Sequence, residues 1–467
     1  MDIFDYIIIG KNIDSLAFAD TILVGSDATI AIIDDEKAMN RLRCDMATFQ
    51  YSRVPDESVG IGSYTFEDWR TANHQTNEKS LDRAADLQAY LSHVLDHVIL
   101  PSKRVQVFDR VEHFGSGRIK SIETGNVRDL LARCSIVDAT RLPNNFCKSF
   151  IPCFSIAPGV QVVRPFNLDT ALNSSTIAVD TFCVLGGGRT GTEMVLTLLD
   201  RGVPSRKIRW VKSREPWMLA LATKSERAQS LSDQNAIQQE CLKAMAYAQN
   251  PEDLCLRLEN LGVIVRTSVG QSPSCFLPHM VTHLDAERLR QVYHVIRKGH
   301  VHAITEIGMV LSRGVVPMPG KALYLDCTGD ESTRSPPSPV FQKGRINLAE
   351  IRLCHPSFSA AIIAAIALQD LSIEEKNKLS VPMMGHHVAN LFLTSLLNQH
   401  AWFHDDNLRT WLADCRLDSW MQTSARRLNA SPRIPQDLST IRKILPRAII
   451  NLESMIQQGS APAQQII

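Results

Sequence analysis

The stretch FCVLGGGRTGTE, residues 182–193, constrains the fold of this chain more than any other. It opens with four apolar residues, as a β-strand does, and continues into apolar residues at helical spacing. Its glycines follow the spacing G-x-G-x-x-G, at Gly186, Gly188 and Gly191. A second apolar run, 208–211, comes next. Strand, glycine turn, helix and strand in this order are typical of a dinucleotide-binding βαβ unit.

Each glycine of this motif has a chemical role. Gly186 permits the tight turn out of the strand, Gly188 lets a pyrophosphate approach the backbone, and Gly191 allows close packing of helix and strand. A helix is predicted over 193–199, and its N-terminus presents N–H groups to phosphates; Arg189 and Thr190, in the turn, are included among the predicted cofactor-binding residues. We therefore predict that this turn and its residues bind a dinucleotide; the alternative is a glycine-rich turn that binds nothing.

The end of the second strand predicts which dinucleotide is bound. An acidic residue there would accept hydrogen bonds from a ribose 2′-hydroxyl and would indicate NAD. Here the strand ends in Lys212, Ser213 and Arg214. Two cations and a hydroxyl suit a 2′-phosphate, so the sequence predicts NADP(H); the alternative is a solvated basic loop.

A second unit of the same kind opens the chain. An apolar strand leads to Gly10, a helix is predicted over 15–23, and a strand over 29–33 ends at Asp34. Asp34 lies 24 residues after Gly10 (34 − 10), about where a ribose-binding acid belongs. Gly10 and Asp34 are therefore predicted cofactor-binding residues.

The turn of this first unit departs from the glycine motif. Asn12 and Ser15 stand where two further glycines are expected. Asn tolerates left-handed backbone angles, but its side chain occupies the approach of a pyrophosphate, whereas Ser15 is small. The turn is either an altered dinucleotide site that includes Asn12 and Ser15 or part of a unit that binds no cofactor. Lys11 and Asp14 are expected to form a surface salt bridge; in a cleft without a cofactor they would serve as acid and base.

Two apolar strands that each deliver an Asp-x-Thr motif, at Asp138 and Asp326, lie on either side of the glycine unit. This pattern predicts an α/β fold with two Rossmann-like dinucleotide-binding domains, the second inserted into the first. The predicted segments are 1–175 with 322–400 for the first domain, 176–321 for the inserted domain and 401–467 for a helical C-terminal tail.

Composition excludes several classes of function. A hydrophobic fraction of 44% and a net charge of +1 are typical of a soluble globular protein, so no nucleic-acid or membrane partner is predicted. The chain opens without a basic signal-peptide segment, and none of its 11 cysteines forms C-x-x-C, so we expect a cytoplasmic protein. The histidines at 386, 387, 400 and 404 lack a zinc-ligand pattern, and no metal is predicted.

Over most of its length the chain resembles the flavoproteins with two dinucleotide-binding domains. This group includes pyridine-nucleotide-disulfide oxidoreductase-like and flavin-containing monooxygenase-like proteins, and the closer resemblance is to FAD/NAD(P)-binding oxidoreductases that lack the redox disulfide. The stretches that carry the resemblance are 5–34, 186–217, 326–329, 356–361 and 411–417.

The resemblance implies FAD on the first domain and NADPH on the second. Carried over by position, FAD would be held by Gly10 and Asp34, and NADPH by Gly186, Gly188, Gly191 and Arg214. Asp326 is included among the cofactor-binding residues on the same basis. The departures fall on the FAD side: Asn12 and Ser15 replace glycines, and 35–42 lacks the Gly-Gly-His/Arg-Trp-like segment of such flavoproteins.

Two hypotheses of function follow. The first is an NADPH-dependent, FAD-containing oxidoreductase or monooxygenase-like enzyme that acts on a small organic molecule in specialised biosynthesis. The second is a flavoprotein-like scaffold without redox activity, which works as a cyclase, an isomerase or a ligand-binding protein; the altered first turn favours it. An NADP-binding regulatory module is a third alternative. The sequence singles out no catalytic acid or base, no particular substrate and no oligomeric state.

Overall fold

The computed structural model of the protein describes residues 2–35, 54–73, 83–115, 117–140, 152–174, 179–221, 231–268, 270–318, 321–328, 338–383, 385–430 and 436–459. Its strands are β1 (Asp2–Ile9), β2 (Ile30–Asp35), β3 (Val105–His113), β4 (Arg118–Ser121), β5 (Val127–Asp138), β6 (Ser155–Ile156), β7 (Gln161–Val163), β8 (Thr181–Leu185), β9 (Ile208–Val211), β10 (Pro216–Leu221), β11 (Ile264–Arg266), β12 (Cys275–Thr282), β13 (His294–Ile296), β14 (Val301–Thr305), β15 (Gly308–Leu311), β16 (Gly314–Pro317), β17 (Ala322–Asp326), β18 (Phe341–Gln342) and β19 (Arg345–Asn347).

The α-helices alternate with these strands and then dominate the C-terminal part. They are α1 (Ile13–Gly25), α2 (Phe66–Asn73), α3 (Arg83–Val94), α4 (Leu168–Ser174), α5 (Arg189–Asp200), α6 (Leu231–Tyr247), α7 (Pro251–Asn260), α8 (His283–Arg290), α9 (Pro356–Ala367), α10 (Ile373–Lys378), α11 (Val388–His404), α12 (Asp406–Asp414), α13 (Ser419–Ala430) and α14 (Gln436–Gly459). The predicted α/β class and the helical C-terminal region are confirmed. In the described part of the chain no helix is long and apolar enough to cross a membrane.

The first sheet is organised around β1. This strand pairs in parallel with β2 on one side and with β5 on the other; β2 pairs in parallel with β3, and β5 with β19. Ile7 and Ile8 of β1 are fully buried, as expected for a parallel strand covered on both faces. Helix α1 packs against the apolar helix α9. The carboxyl ends of β1, β2 and β5 meet at one edge, which is where ligands bind in such sheets.

The second sheet consists of parallel strands in the order β13-β9-β8-β17-β7. β17 and β7 come from outside the range 176–321 that was predicted for the inserted domain, yet they pair beside β8. The second sheet therefore extends beyond both predicted bounds. The physical reason is pairing: Leu325 of β17 lies opposite Val184 of β8, and both are fully buried.

The local sequence pattern of 285–297 predicts one helix, and the structure differs from that prediction. Helix α8 ends at Arg290, and β13 follows and pairs in parallel with β9. The half-buried Val295 and Ile296 lie at the edge of the second sheet, so tertiary pairing overrides their local pattern. As a consequence, Arg297 comes to the carboxyl edge of the second sheet, beside the end of β9.

Candidate functional site

The second βα turn, between β8 and α5, requires glycine at two positions. Gly186 has φ +118°, and a Cβ there would lie 2.8 Å from the Cys327 carbonyl oxygen. A Cβ on Gly191 would lie 2.0 Å from the Gly186 carbonyl oxygen. Both distances are too short for any side chain, so the tight turn and the close packing of strand and helix depend on these glycines.

Gly188, at the N-cap of α5, differs from these two glycines because it has space in front of it. Its φ of −80° is open to any residue, and a Cβ placed on it would meet no described atom within 4 Å. No side chain caps the N-terminus of α5, and its first turn holds no acidic residue. The turn therefore presents helix N–H groups and open backbone to an anion.

The residues predicted to hold the 2′-phosphate at the end of β9 have separate roles. Lys212 is buried: its Nζ lies 3.0 Å from Glu215 Oε1, 2.9 Å from Thr267 Oγ1 and 3.7 Å from the centroid of the Trp210 ring. Ser213 is half-buried and Arg214 is exposed. The expectation that both cations face the cofactor is therefore wrong for Lys212, which faces the interior.

Charge in this buried cluster is balanced by a second cation. Burial lowers the pKa of Lys212 to about 8, although Glu215 beside it favours the charged form. Burial opposes ionisation of Glu215, but Lys212, Thr267 and Arg297 outweigh it and lower its pKa. Arg297 donates to Glu215 Oε2 through Nε (3.3 Å) and Nη2 (3.2 Å).

Arg297 is a candidate residue that the sequence did not reveal. Ile296, the residue before it, lies opposite Val211, and its carbonyl oxygen accepts a hydrogen bond from the Lys212 N–H at 3.0 Å. Arg297 is therefore adjacent to the end of β9, where Arg214 also lies. Its side chain is 33% exposed, so it is accessible to a ligand.

The first βα turn begins in the same way. Gly10 has φ +104°, and its N–H donates to the Ile33 carbonyl oxygen at 2.9 Å, which continues the pairing of β1 and β2. A Cβ on Gly10 would lie 3.2 Å from Thr140 Cγ2. Thr140 belongs to the Asp-x-Thr motif and donates its hydroxyl to Asp138 at 2.6 Å. Gly10 is thus required here as Gly186 is in the second turn.

The helix end of the first turn is closed by its own side chains. Asn12 Oδ1 accepts a hydrogen bond from the Ser15 N–H at 2.9 Å, and Ser15 Oγ accepts one from the Asn12 N–H at 2.9 Å. This reciprocal arrangement is a capping box. The Asn12 amide also donates to the Ala139 carbonyl oxygen at 3.0 Å. Both residues that replace glycines therefore satisfy the backbone of the turn.

The acid at the end of β2 is also occupied. Asp34 is buried, and its Oδ2 lies 2.9 Å from Lys11 Nζ; the same ammonium contacts Asp109 of β3. Burial opposes the charge on Lys11, but hydrogen bonds to Asp109 and Asp34 outweigh it and raise its pKa. Lys11 therefore pairs with Asp34 and Asp109. The sequence predicts a surface salt bridge with Asp14 instead.

The two turns fit their expected cofactors unequally. The second turn offers open backbone, an uncapped helix end, the exposed Arg214 and the partly exposed Arg297, which suit the pyrophosphate and 2′-phosphate of NADP(H). In the first turn, the groups that would bind the pyrophosphate and ribose of FAD are already bonded to Asn12, Ser15 and Lys11. In the conformation described, the first turn does not fit FAD.

Asp326, at the end of β17, has a structural role in the described contacts. It is buried, and its Oδ1 accepts hydrogen bonds from the N–H (3.0 Å) and the hydroxyl (2.5 Å) of Thr328. The Cys327 N–H donates to the Leu185 carbonyl oxygen at 2.9 Å, which holds this Asp-x-Thr segment beside the second turn. Asp326 thus supports the backbone against which Gly186 packs.

Glu350 is the second residue that sequence inspection missed. It lies in the turn between β19 and α9, where it accepts a hydrogen bond from the Cys354 N–H through Oε1 and is partly buried. Burial raises the pKa of this carboxyl, while Arg189 of the second turn opposes the rise and Asp14 of the first turn adds to it. Glu350 therefore lies within electrostatic reach of both turns.

The backbone around Glu350 is strained and held from several sides. Cys354 has φ +58°, which is uncommon for a residue with a side chain. Ser359 Oγ accepts hydrogen bonds from the N–H groups of Ile351 (3.2 Å) and Arg352 (3.1 Å), and the Met383 N–H donates to the Glu350 carbonyl oxygen at 2.8 Å. Strain maintained in this way is a feature of functional sites.

Comparison with known proteins gives a family of mycobacterial relatives. The chain is 30% identical over 475 residues to "Uncharacterized protein Rv2000" of Mycobacterium tuberculosis, a match that spans 99% of this chain and 86% of that protein. The same values hold for "Uncharacterized protein Mb2023" of Mycobacterium bovis. This chain belongs to their family. No protein-family model matches it.

Two solved structures of flavoproteins are similar to the chain at low identity. The HOCl-induced flavoprotein disulfide reductase RclA of Escherichia coli shares 13% identity over 79% of this chain and 71% of that chain, with a TM-score of 0.40. A flavin monooxygenase of Stenotrophomonas maltophilia shares 14% identity over 79% of this chain and 98% of that chain, with a TM-score of 0.43. What this chain binds has to be inferred from its own side chains.

Proposed function

We propose that the second βα turn binds NADP(H) and that the protein is an NADPH-dependent oxidoreductase of a small organic molecule. The observation that carries the proposal is the open space in front of Gly188, at the N-terminus of a helix that no side chain caps. A pyrophosphate placed there would meet backbone N–H groups and the positive end of the helix dipole.

Arg189 adds a positive charge without blocking this approach. Its Nη2 donates to the Pro278 carbonyl oxygen at 2.6 Å, so the guanidinium is held to one side of the turn. The first turn of α5 holds no carboxylate that would repel a phosphate. Charge and backbone geometry at this helix end therefore favour the same anion.

The 2′-phosphate is assigned to Arg214, Ser213 and Arg297. Arg214 is exposed, and Arg297 arrives from the neighbouring strand β13. Glu215 orients Arg297 by accepting hydrogen bonds from its Nε and Nη2, and Nη2 also donates to Ser268 Oγ. Lys212 acts from the interior instead, where it neutralises Glu215 so that the carboxylate does not repel the phosphate.

Bound NADPH would supply a hydride. The proton that accompanies hydride transfer to a carbonyl or similar group is assigned to Glu350, which interacts electrostatically with Arg189 of the second turn and whose pKa is raised by burial. The Cys354 N–H orients this carboxyl, and the strained turn around it fixes its position.

The FAD-containing, monooxygenase-like form of this function would need FAD on the first turn. The residues there do not fit it, so no step is assigned to a flavin. A non-redox cyclase, isomerase or ligand-binding protein is the second candidate function. The specific observation in its favour is the bonding of Asp34 to Lys11, which occupies the acid expected to hold a cofactor ribose.

Equilibrium titration with NADP⁺ and NAD⁺ tests the cofactor assignment. We expect saturable binding of NADP⁺ that is tighter than that of NAD⁺, and loss of both in Gly188→Val, whose side chain would fill the open space. The control is thermal unfolding of Gly188→Val, which should match wild type because φ at this position is −80°. Consumption of NADPH with a panel of organic acceptors then separates the oxidoreductase from the second candidate, which would bind NADPH without consuming it.

A further inference from the structure

We propose that Lys11 and Asn12 close the first βα turn from within, so that this unit takes no FAD and the protein carries a single dinucleotide. In this arrangement the Lys11 ammonium stands at the end of β2 in place of a cofactor ribose. The proposal goes beyond NADP(H) binding, which concerns the other turn, and either can fail while the other holds.

The first argument is the occupation of Asp34. An acid at the end of the second strand would accept hydrogen bonds from ribose hydroxyls. Here Lys11 Nζ lies 2.9 Å from Asp34 Oδ2, and the exposed fractions of the two side chains are 19% and 2%. A ribose would have to displace an ammonium from a buried carboxylate. Such a loss is costly, because a charge is left without its partner.

The second argument is that β3 is shaped to take part in this ion pair. The pairing of β2 with β3 is regular up to Ile33 and Phe108, then shifts register before Asp35 and Val111. Asp109 and Arg110 of β3 lie opposite the single residue Asp34 of β2, and Arg110 has φ +54°. A bulge of this kind re-aims a side chain. It supplies the second carboxylate that Lys11 contacts, Asp109.

The third argument is the capping of α1. Asn12 and Ser15 satisfy each other's backbone N–H groups, so two of the donors that an uncapped helix would present to a pyrophosphate are used. Asp14, in the first turn of α1, adds a negative charge at the same end. In the second turn the corresponding helix has neither feature.

The charges of the first turn oppose an anionic ligand. Asp14, Asp34 and Asp109 carry three negative charges and Lys11 carries one positive charge, which leaves −2 (1 − 3). The two phosphates of FAD are negative as well, so they would be repelled. The charges and the hydrogen bonds thus lead to the same conclusion.

The first unit contributes to the core of the fold. Every residue of α1 from Leu16 to Ile22 is buried, and the helix packs against α9 in the largest core cluster of the described residues. The capping of α1 and the ion pair between Lys11 and Asp34 stabilise β1, α1 and β2 in this packing without a cofactor. The first unit therefore has a structural role that requires no cofactor.

A double-mutant cycle on the unfolding of the cofactor-free protein tests the pair. Lys11→Met, Asp34→Asn and the double variant are compared by chemical denaturation, with the exposed Lys120→Met of β4 as a control for loss of a lysine. We expect Lys11→Met to lower the folding equilibrium constant by roughly tenfold in the wild-type background and by much less in the Asp34→Asn background. Additive effects would overturn the proposal. If Lys11→Met does not fold, Lys11→Gln replaces it in the same cycle.

Titration of the wild-type protein with FAD, followed by flavin fluorescence and equilibrium dialysis, tests the cofactor directly. We expect no flavin on the purified protein and no saturable uptake of added FAD. The triple variant Lys11→Ala, Asn12→Gly, Ser15→Gly should gain FAD affinity relative to wild type, because it frees Asp34 and the helix N–H groups. Stoichiometric binding of FAD by wild type, or no gain in a folded triple variant, would contradict the proposal.

Discussion

The two βα turns of this chain start alike and end differently. Each follows a buried parallel strand and turns at a glycine with positive φ, Gly10 at +104° and Gly186 at +118°. After that point the first turn satisfies its own helix end with Asn12 and Ser15, whereas the second leaves Gly188 open. The two units thus share the turn geometry at the first glycine. The residues after it, Asn12 and Ser15 in one unit and Gly188 in the other, determine whether a ligand can bind.

Both turns also place a lysine beside an acid near the end of the second strand, with opposite consequences. Lys11 reaches out of the first turn and neutralises Asp34, the acid that a ribose would use. Lys212 points inward and neutralises Glu215, which lies below the proposed phosphate site. A lysine–carboxylate ion pair therefore occupies the ribose-binding acid in the first turn, whereas in the second turn it neutralises a carboxylate that would otherwise repel an anion.

The largest expected effect comes from exchanging the residues at the third motif position. Gly191→Ser places a Cβ 2.0 Å from the Gly186 carbonyl oxygen, so we expect a loss of about 3 kcal/mol or more in the free energy of unfolding. Ser15→Gly removes only one half of the capping box and should cost about 1 kcal/mol. Chemical denaturation of both variants gives the comparison. Equal costs would show that the turns are packed alike.

The next effect concerns the buried lysine of the second unit. Lys212→Met leaves Glu215 with fewer partners, and we expect it to lower the free energy of unfolding by about 3 kcal/mol. Lys207→Met, at an exposed lysine just before β9, is the matched control and should change little. Thermal and chemical unfolding measure both. A cost near zero for Lys212→Met would mean that Arg297 alone suffices for Glu215.

A smaller, selective effect is expected from the cations at the edge of the second sheet. Arg214→Ala and Arg297→Ala should each weaken NADP⁺ binding by about 1.5 to 3 kcal/mol, because a hydrogen bond to a charged phosphate is lost. NAD⁺ binding should change little in both. Calorimetric titration with each dinucleotide measures the difference. A parallel loss for NAD⁺ would place these residues elsewhere on the cofactor.

The smallest effect is the pH dependence that Glu350 contributes. Because burial raises its pKa in the folded protein, the folded state holds this proton to a higher pH than the unfolded chain does. Stability from this group is complete below the unfolded pKa and is lost as pH rises through the folded one. Glu350→Gln should remove that loss. The free energy of unfolding of Glu350→Gln, relative to that of wild type, should therefore be higher at about pH 8 than at about pH 5. An unchanged difference would indicate an ordinary pKa.

Local pattern was sufficient for the α/β class and for the backbone geometry of the second turn. The spacing of Gly186, Gly188 and Gly191 predicts the second turn, and the structure shows a steric reason for two of these glycines and an open approach for the third. Gly10 and Asp34 were found by the same pattern. Their roles as cofactor ligands, and those of the other predicted site residues except Lys212, stay predictions.

Other features depend on distant parts of the chain, which no local pattern reports. The local sequence predicts Lys212 as a phosphate ligand. Its burial could not be predicted, because it depends on contact with Thr267, which lies 55 residues later in the chain. The local pattern places Arg297 in a helix. It lies instead at the carboxyl edge of the second sheet, because β13 pairs with β9. The contact of Lys11 with Asp109 is created by the bulge in β3, and Asp109 is 98 residues away in sequence.

The most direct test of the difference between the two turns is a calorimetric titration of NADP⁺ into wild type and Gly188→Val. We expect one binding site per chain in wild type, and no detectable binding in a Gly188→Val protein that unfolds at the wild-type temperature. Absence of saturable binding by wild type, or equal affinity in the variant, would contradict the assignment of the second turn as the dinucleotide site.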